Sequence, residues 1–105
     1  ELGSDAHIRL ESSKLPKGWG EMHAFRIRGP FGKDSIYVVF TGGFESKDAK
    51  ISLNIKSPQS SITRGYYPYE ISVYPLSPES DIVFDVSVFE GGKQLWKSEE
   101  LALKK

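Results

Sequence analysis

No cysteine occurs anywhere in the 105 residues. Its absence removes disulfides, thiolate metal sites, iron–sulfur clusters and cysteine nucleophiles together. It leaves the compartment open: an absent disulfide is weak support for the cytosol, yet many periplasmic and extracellular β domains also lack cysteine, and an extracellular or periplasmic location is slightly favoured over a cytoplasmic one. An excess of charge of one sign is also missing. Lys+Arg and Asp+Glu both number 14, so the formal net charge is zero, and a neutral chain exerts no global pull on nucleic acid or an anionic membrane. No apolar run approaches the length of a membrane span. The stretch ELGSDAHIRLESS has neither the basic nor the apolar region of a signal peptide. No nucleic-acid partner and no membrane insertion are therefore expected.

Imidazoles are scarce too. His7 and His23 are the only two, and two histidines without thiolates fall short of a ligand set for zinc or copper. Glu21, Met22 and His23 adjoin and His7 could lie on a neighbouring strand, which makes a copper site conceivable, but His23 and Met22 point to opposite faces of a strand and fail as a pair. No serine lies in a G-x-S-x-G elbow. The pairs Gly42-Gly43 and Gly91-Gly92 belong to no phosphate-binding pattern. The expectation is no metal, no cofactor and no catalysis.

What is present is alternation. AHIRL, EMHAFRIR, SIYVVFT, KISLNIK, YEISVY, DIVFDVSVFE and KQLWKS each repeat with period two and are rich in β-branched or aromatic residues, which is the strand signal. GPFGKD, GGFESKDA, SPQSSITRG, PLSPESD and EGGK fall between the runs as turns, and only ESKDAK has a helical flavour, about one turn of it. Seven such runs at this spacing predict one all-β domain over residues 1–105, complete or excised from a longer protein. Its form would be a seven-stranded antiparallel β-sandwich, with a barrel as the runner-up. Ile8, Leu10, Ile36, Val38, Phe40, Ile51, Leu53, Ile55, Ile82, Phe84, Val86 and Val88 are the expected core.

The stretch YPLSPESDIVFDVSV, with Leu76, Pro78, Ile82, Phe84, Val86 and Val88, resembles the strand–turn–strand crossing of fibronectin III and related immunoglobulin-like domains. That resemblance implies an immunoglobulin-like sandwich and leaves function open.

Candidate contact residues come from the aromatics and a few arginines. In TRGYYPYE, Tyr67 and Tyr69 fall in phase with Ile71 and Val73 and are expected inside, whereas Tyr66 is expected outside. Pro68 lacks an N–H and marks an edge or the start of a strand, with Arg64-Gly65 as the turn leading in. Tyr37, Tyr74 and Phe89 are also placed outward. Arg26 and Arg28 are expected to share an outward face of a basic hairpin ending at Lys33. Trp19 lies in the glycine-rich LPKGWGE. A two-residue Gly91-Gly92 turn sets Ser87 opposite Trp96 and turns Lys97 inward. Either a β-bulge or a lysine reaching for water relieves that, and Trp96 is core or outward accordingly. The expected function is a non-catalytic interaction or ligand-binding module for a protein or a glycan, with Trp19, Arg28, Arg64, Tyr66 and Tyr67 as its contact residues. Alternatives are a carbohydrate-binding module stacking sugars on Trp19, Tyr66 and Trp96, a small periplasmic chaperone or inhibitor using Arg26 and Arg28, and a structural spacer. The oligomeric state is not predicted.

Overall fold

The computed structural model describes residues 7–28, 33–57, 62–75 and 81–104, and the side chains of all of these except 28, 33, 57, 62–64 and 73–75. Among the described residues, nine strands run in the order β1 (His7–Leu10), β2 (Met22–Arg28), β3 (Lys33–Phe40), β4 (Lys50–Ser57), β5 (Ile62–Tyr66), β6 (Tyr69–Pro75), β7 (Ile82–Glu90), β8 (Lys93–Lys97) and β9 (Leu101–Leu103). A single 3₁₀ turn spans Ser12–Lys14. All pairings are antiparallel. One sheet has the order β1-β2-β3-β6-β5, and the other has β4-β7-β8 with β9 also on β7.

The all-β, two-sheet expectation holds, and the strand count rises from seven to nine. The additions are β5 and β9. β5 occupies the end of the segment assigned to a turn. Arg64 and Gly65 pair with Ile71 and Glu70 rather than turning the chain, and the turn is Tyr67-Pro68, whose peptide bond is cis. β9 continues the line of β8 along β7. Between them Ser98 donates its N–H to Val86 O (2.8 Å) and accepts the Val86 N–H on its Oγ (2.9 Å), so a side chain replaces a ladder bond. The β7–β8 hairpin turns on Gly91-Gly92, with φ of 59° and 85°, the left-handed pair that a two-residue hairpin turn favours. A register shift at Val88/Phe89 sets Trp96 opposite Val88 and Lys97 opposite Ser87. That bulge turns Trp96 toward the core and leaves Leu95 and Lys97 exposed.

Both sheets contribute to one core. Met22, Ala24, Ile36, Val38 and Phe40 come from the first, and Ile51, Ile55, Ile82, Phe84, Val86, Val88 and Leu103 from the second. The inward residues of β1, β3, β4 and β7 are those the alternation predicts, with Leu53, Ile8 and Leu10 half-buried. β2 and β6 have the opposite phase. On β2, Met22, Ala24 and Arg26 are inside, and His23, Phe25 and Ile27 are outside. On β6, Glu70 and Ser72 are inside, and Tyr69 and Ile71 are outside. The expectation that Arg26 faces solvent is therefore corrected. It is 2% exposed, and its Nε donates to Asp34 Oδ2 at 2.8 Å. A buried guanidinium is tolerated because a buried carboxylate on the neighbouring strand pairs with it. Tyr69, expected inside, is half-buried on the outer face.

Candidate functional site

The inverted phase of β2 and β6 creates the most distinctive surface of the molecule. Each strand of the five-stranded sheet sends at least one ring to its outer face. From one edge to the other these are Tyr66 on β5, Tyr69 on β6, Tyr37 on β3, Phe25 and His23 on β2, and His7 on β1. The centroids of Tyr66 and Tyr69 are 5.4 Å apart, of Tyr69 and Tyr37 5.7 Å, of Tyr37 and Phe25 6.4 Å, and of Phe25 and His7 4.5 Å. The register explains the row. Tyr66 lies opposite Tyr69, Phe25 opposite both Tyr37 and His7, and Tyr69 opposite Val39. Antiparallel strands lie about 4.8 Å apart, so one ring per strand at matching positions comes within contact of the next. Ile27, at 44% exposed, and half-buried Val39 and Ile71 fill the face around the row.

Ring orientation differs along the row. Phe25 and His7 are nearly parallel, at 4°, and overlap face to face at 4.5 Å. Rings lying flat on the sheet could not approach so closely, so this pair stands on edge. At the other end Tyr66 is 46% exposed, and its ring is tilted by 37° to Tyr69.

Beyond Phe25 the row ends in a hydrogen-bonded chain. Glu21 is ionised, because Arg9, and then His23, hold its carboxyl below the usual carboxylate range. Arg9 Nε donates to Glu21 Oε2 at 3.0 Å, and its Nη2 donates to the same oxygen. A carboxylate only accepts, so His23 Nε2 must donate to Glu21 Oε1 (3.0 Å), and in the neutral ring this leaves Nδ1 as the acceptor. The Nδ1 lone pair accepts from His7 Nε2 at 2.9 Å. The two imidazole centroids are 5.1 Å apart at 14°, close to the largest separation such a contact permits, so the rings lie edge to edge and are joined by this one hydrogen bond. Two metal–nitrogen bonds of about 2.0 Å do not fit on the line between these nitrogens. Among the described residues, no group of three or more His, Cys, Asp or Glu could hold a metal ion.

The contact residues expected from sequence disperse. Tyr66 is exposed at the end of the row. Tyr67, next to it, turns inward instead. Its hydroxyl donates to Phe44 O (2.8 Å) and accepts the Phe44 N–H (3.1 Å), tying the β5–β6 turn to the segment after β3. Trp19 is 6% exposed and packs edge-on against Phe40, Phe44 and Trp96 at 5.6, 4.9 and 6.1 Å. Trp19, Trp96 and Tyr66 therefore form no common platform. Arg28 ends β2 opposite Asp34, and Arg64 lies in β5 opposite Ile71. The side chains of both, and that of Tyr74, lie outside the described residues. So do Leu76, Pro78 and the GPFG turn. Phe89 is half-buried beside the bulge.

Sequence reading missed the contributions of His7, Phe25 and Tyr69 to this face. The available signal was one aromatic near the middle of each of β2, β3 and β6. Using it required the register, which alternation does not supply. No protein family, curated protein or solved structure matches the chain. Among the described residues, no helix is long and apolar enough to cross a membrane.

Proposed function

We propose that the protein is a non-catalytic interaction module that binds a protein partner through the outer face of its five-stranded sheet. The observation carrying this reading is the unbroken row of rings from Tyr66 to His7 across all five strands. A sheet face turned away from the core ordinarily carries polar side chains. This one carries tyrosines, a phenylalanine and aliphatic neighbours, the residue types enriched at the centres of protein interfaces. Among its described side chains, charge appears only at the β1 end, where Arg9 pairs with Glu21. On-edge packing of Phe25 and His7 favours a protein over a sugar, because sugar stacking needs an open ring face and these two faces cover each other.

The glycan reading retains one supporting observation, the exposed ring of Tyr66. A basic chaperone-like patch loses Arg26, which is buried against Asp34. The fold proposed with this function is an immunoglobulin-like sandwich. Two facing sheets on one core, with Ile82, Phe84, Val86 and Val88 all buried, support it.

Amide and ring chemical-shift mapping against a displayed-peptide library and an oligosaccharide panel tests the function. Peptide-induced shifts confined to Tyr66, Tyr69, Tyr37 and Phe25 are expected. Shifts from sugars alone would replace this reading with the glycan one. Peptide shifts located elsewhere would reject the face.

A further inference from the structure

Directly beneath the Tyr66 end of the row lies a carboxyl group with no ionic partner among the interactions described. Glu70 is flanked in sequence by Tyr69 and Ile71 of the outer face, points the other way, and is 1% exposed. One oxygen, Oε2, accepts the backbone N–H of Leu53 at 2.8 Å. Leu53 belongs to β4, the edge strand of the opposite sheet, so this bond joins the two sheets where no ladder does.

The other oxygen faces a gap. Gly65 pairs with Glu70 across β5–β6, and a side chain there would begin 3.1 Å from Glu70 Oε1 and 2.9 Å from the Ile51 carbonyl oxygen. Only glycine allows β5 to approach β4 so closely. A neutral acid has a hydroxyl proton to offer toward a carbonyl, whereas a carboxylate has only lone pairs.

We infer that Glu70 is a proton-operated catch between the sheets that sets the seating of Tyr66 and Tyr69 on the outer face. With the proton on, both oxygens are compatible with their surroundings and β5 stays against β4. With the proton off, a buried anion is left with the Leu53 N–H as its single described donor, and it is relieved by separation of the strands or entry of water. Gly65 and Tyr66 are consecutive, as are Tyr69 and Glu70, so any shift in the Gly65–Glu70 pair is carried to the Tyr66–Tyr69 pair.

Burial raises the Glu70 carboxyl to about 7, partly offset by the Leu53 N–H. Described charged groups on the surrounding elements pair with one another or face solvent. Arg26 and Asp34, on the same inner face, pair with each other. Lys56 of β4 reaches Glu100 and Asp85. Lys50 of β4 is exposed. On β5, the backbone of Arg64 lies opposite Ile71, one register position away from the Gly65–Glu70 pair.

This inference concerns regulation of the face proposed above as the binding surface, and its test needs no ligand. Carboxyl-carbon NMR of glutamate-labelled protein would follow Glu70 from pH 5 to 9, alongside the Leu53 amide and the Tyr66 and Tyr69 rings. The expected result is one common midpoint near pH 7 for all four, with the Leu53 and tyrosine steps lost in Glu70→Gln. Tyrosine rings that stay still while Glu70 titrates, or that move unchanged in Glu70→Gln, would overturn it. If Glu70→Gln does not fold, differing midpoints in the unaltered chain suffice to reject it. Rings that follow Glu70 on a face that binds no peptide would keep the catch and discard the binding reading.

Discussion

Two aromatic clusters in this protein are built on different rules. The inner one gathers Trp19, Phe40, Phe44, Trp96 and Tyr67 at one end of the core, mostly edge to face. Trp19 meets Phe40 at 87° and Phe44 at 75°, and Phe40 meets Trp96 at 89°. The outer row runs across the five-stranded sheet at 4° to 37°. Rings in the core approach from loops and from both sheets, so they can choose the edge-to-face geometry that ring quadrupoles favour. Rings on a sheet face are mounted on strands of fixed spacing and direction, and they align. The inner cluster is therefore a consequence of folding. The outer row is apolar surface that folding leaves uncovered, and so it is available for another task.

The largest effect expected from this contrast is on Phe40, which is 1% exposed. Phe40→Ala should cost about 3–5 kcal/mol through lost burial and a residual cavity. Phe25→Ala, the matched substitution in the outer row, should cost only about 1 kcal/mol, the worth of a cross-strand aromatic pair. Urea unfolding of the two variants measures both. Equal losses would erase the distinction between a core cluster and a surface row.

Between these extremes lies Glu70, inside the protein but beneath the outer row. Its folded-state value of about 7 is above the ordinary glutamate value of 4.5, so the folded state holds this proton more tightly than the unfolded chain. Its contribution is most favourable below about pH 4.5 and is lost as pH rises to about 7, by about 3 kcal/mol in all. Unfolding free energies of the unaltered chain and Glu70→Gln, measured across pH 4–8, should diverge over that window. A constant difference would show that Glu70 does not titrate there.

The two clusters also differ in how far sequence revealed them. Ile36, Val38, Phe40 and the inward residues of β7 were legible because one face of each strand is plainly the more apolar. The bulge beside Trp96 was legible as a register conflict after Gly91-Gly92. On β2 and β6 alternation could not choose the phase. His23, Phe25 and Ile27 compete with Met22 and Ala24, and Tyr69 and Ile71 look more like core than Glu70 and Ser72. A one-residue error in phase exchanges the faces, and here it hid the outer row and the buried Arg26–Asp34 pair together. β5 was hidden because Arg64-Gly65 resembles a turn, although Gly65 is required where the sheets approach. Trp19 was hidden because its burial depends on Phe44 and Trp96, far away in sequence.

The smallest structural effect, and the sharpest functional one, belongs to Tyr66. Its ring is nearly half exposed, touches Tyr69 and takes no part in the core. Tyr66→Ala should change stability by only about 0.5 kcal/mol, as expected of an exposed position. Tyr67→Phe, one residue away, should cost about 1–3 kcal/mol, because the Phe44 N–H and C=O both lose the hydroxyl that satisfies them. Thermal unfolding separates these neighbours. A peptide selected on the unaltered protein then completes the test. Its affinity should fall about tenfold or more in Tyr66→Ala if the exposed ring is a central contact, and should survive in Tyr67→Phe at a temperature where that variant is folded. The reverse pattern would move the contact surface from the sheet face to the end of the core where Tyr67 meets Phe44.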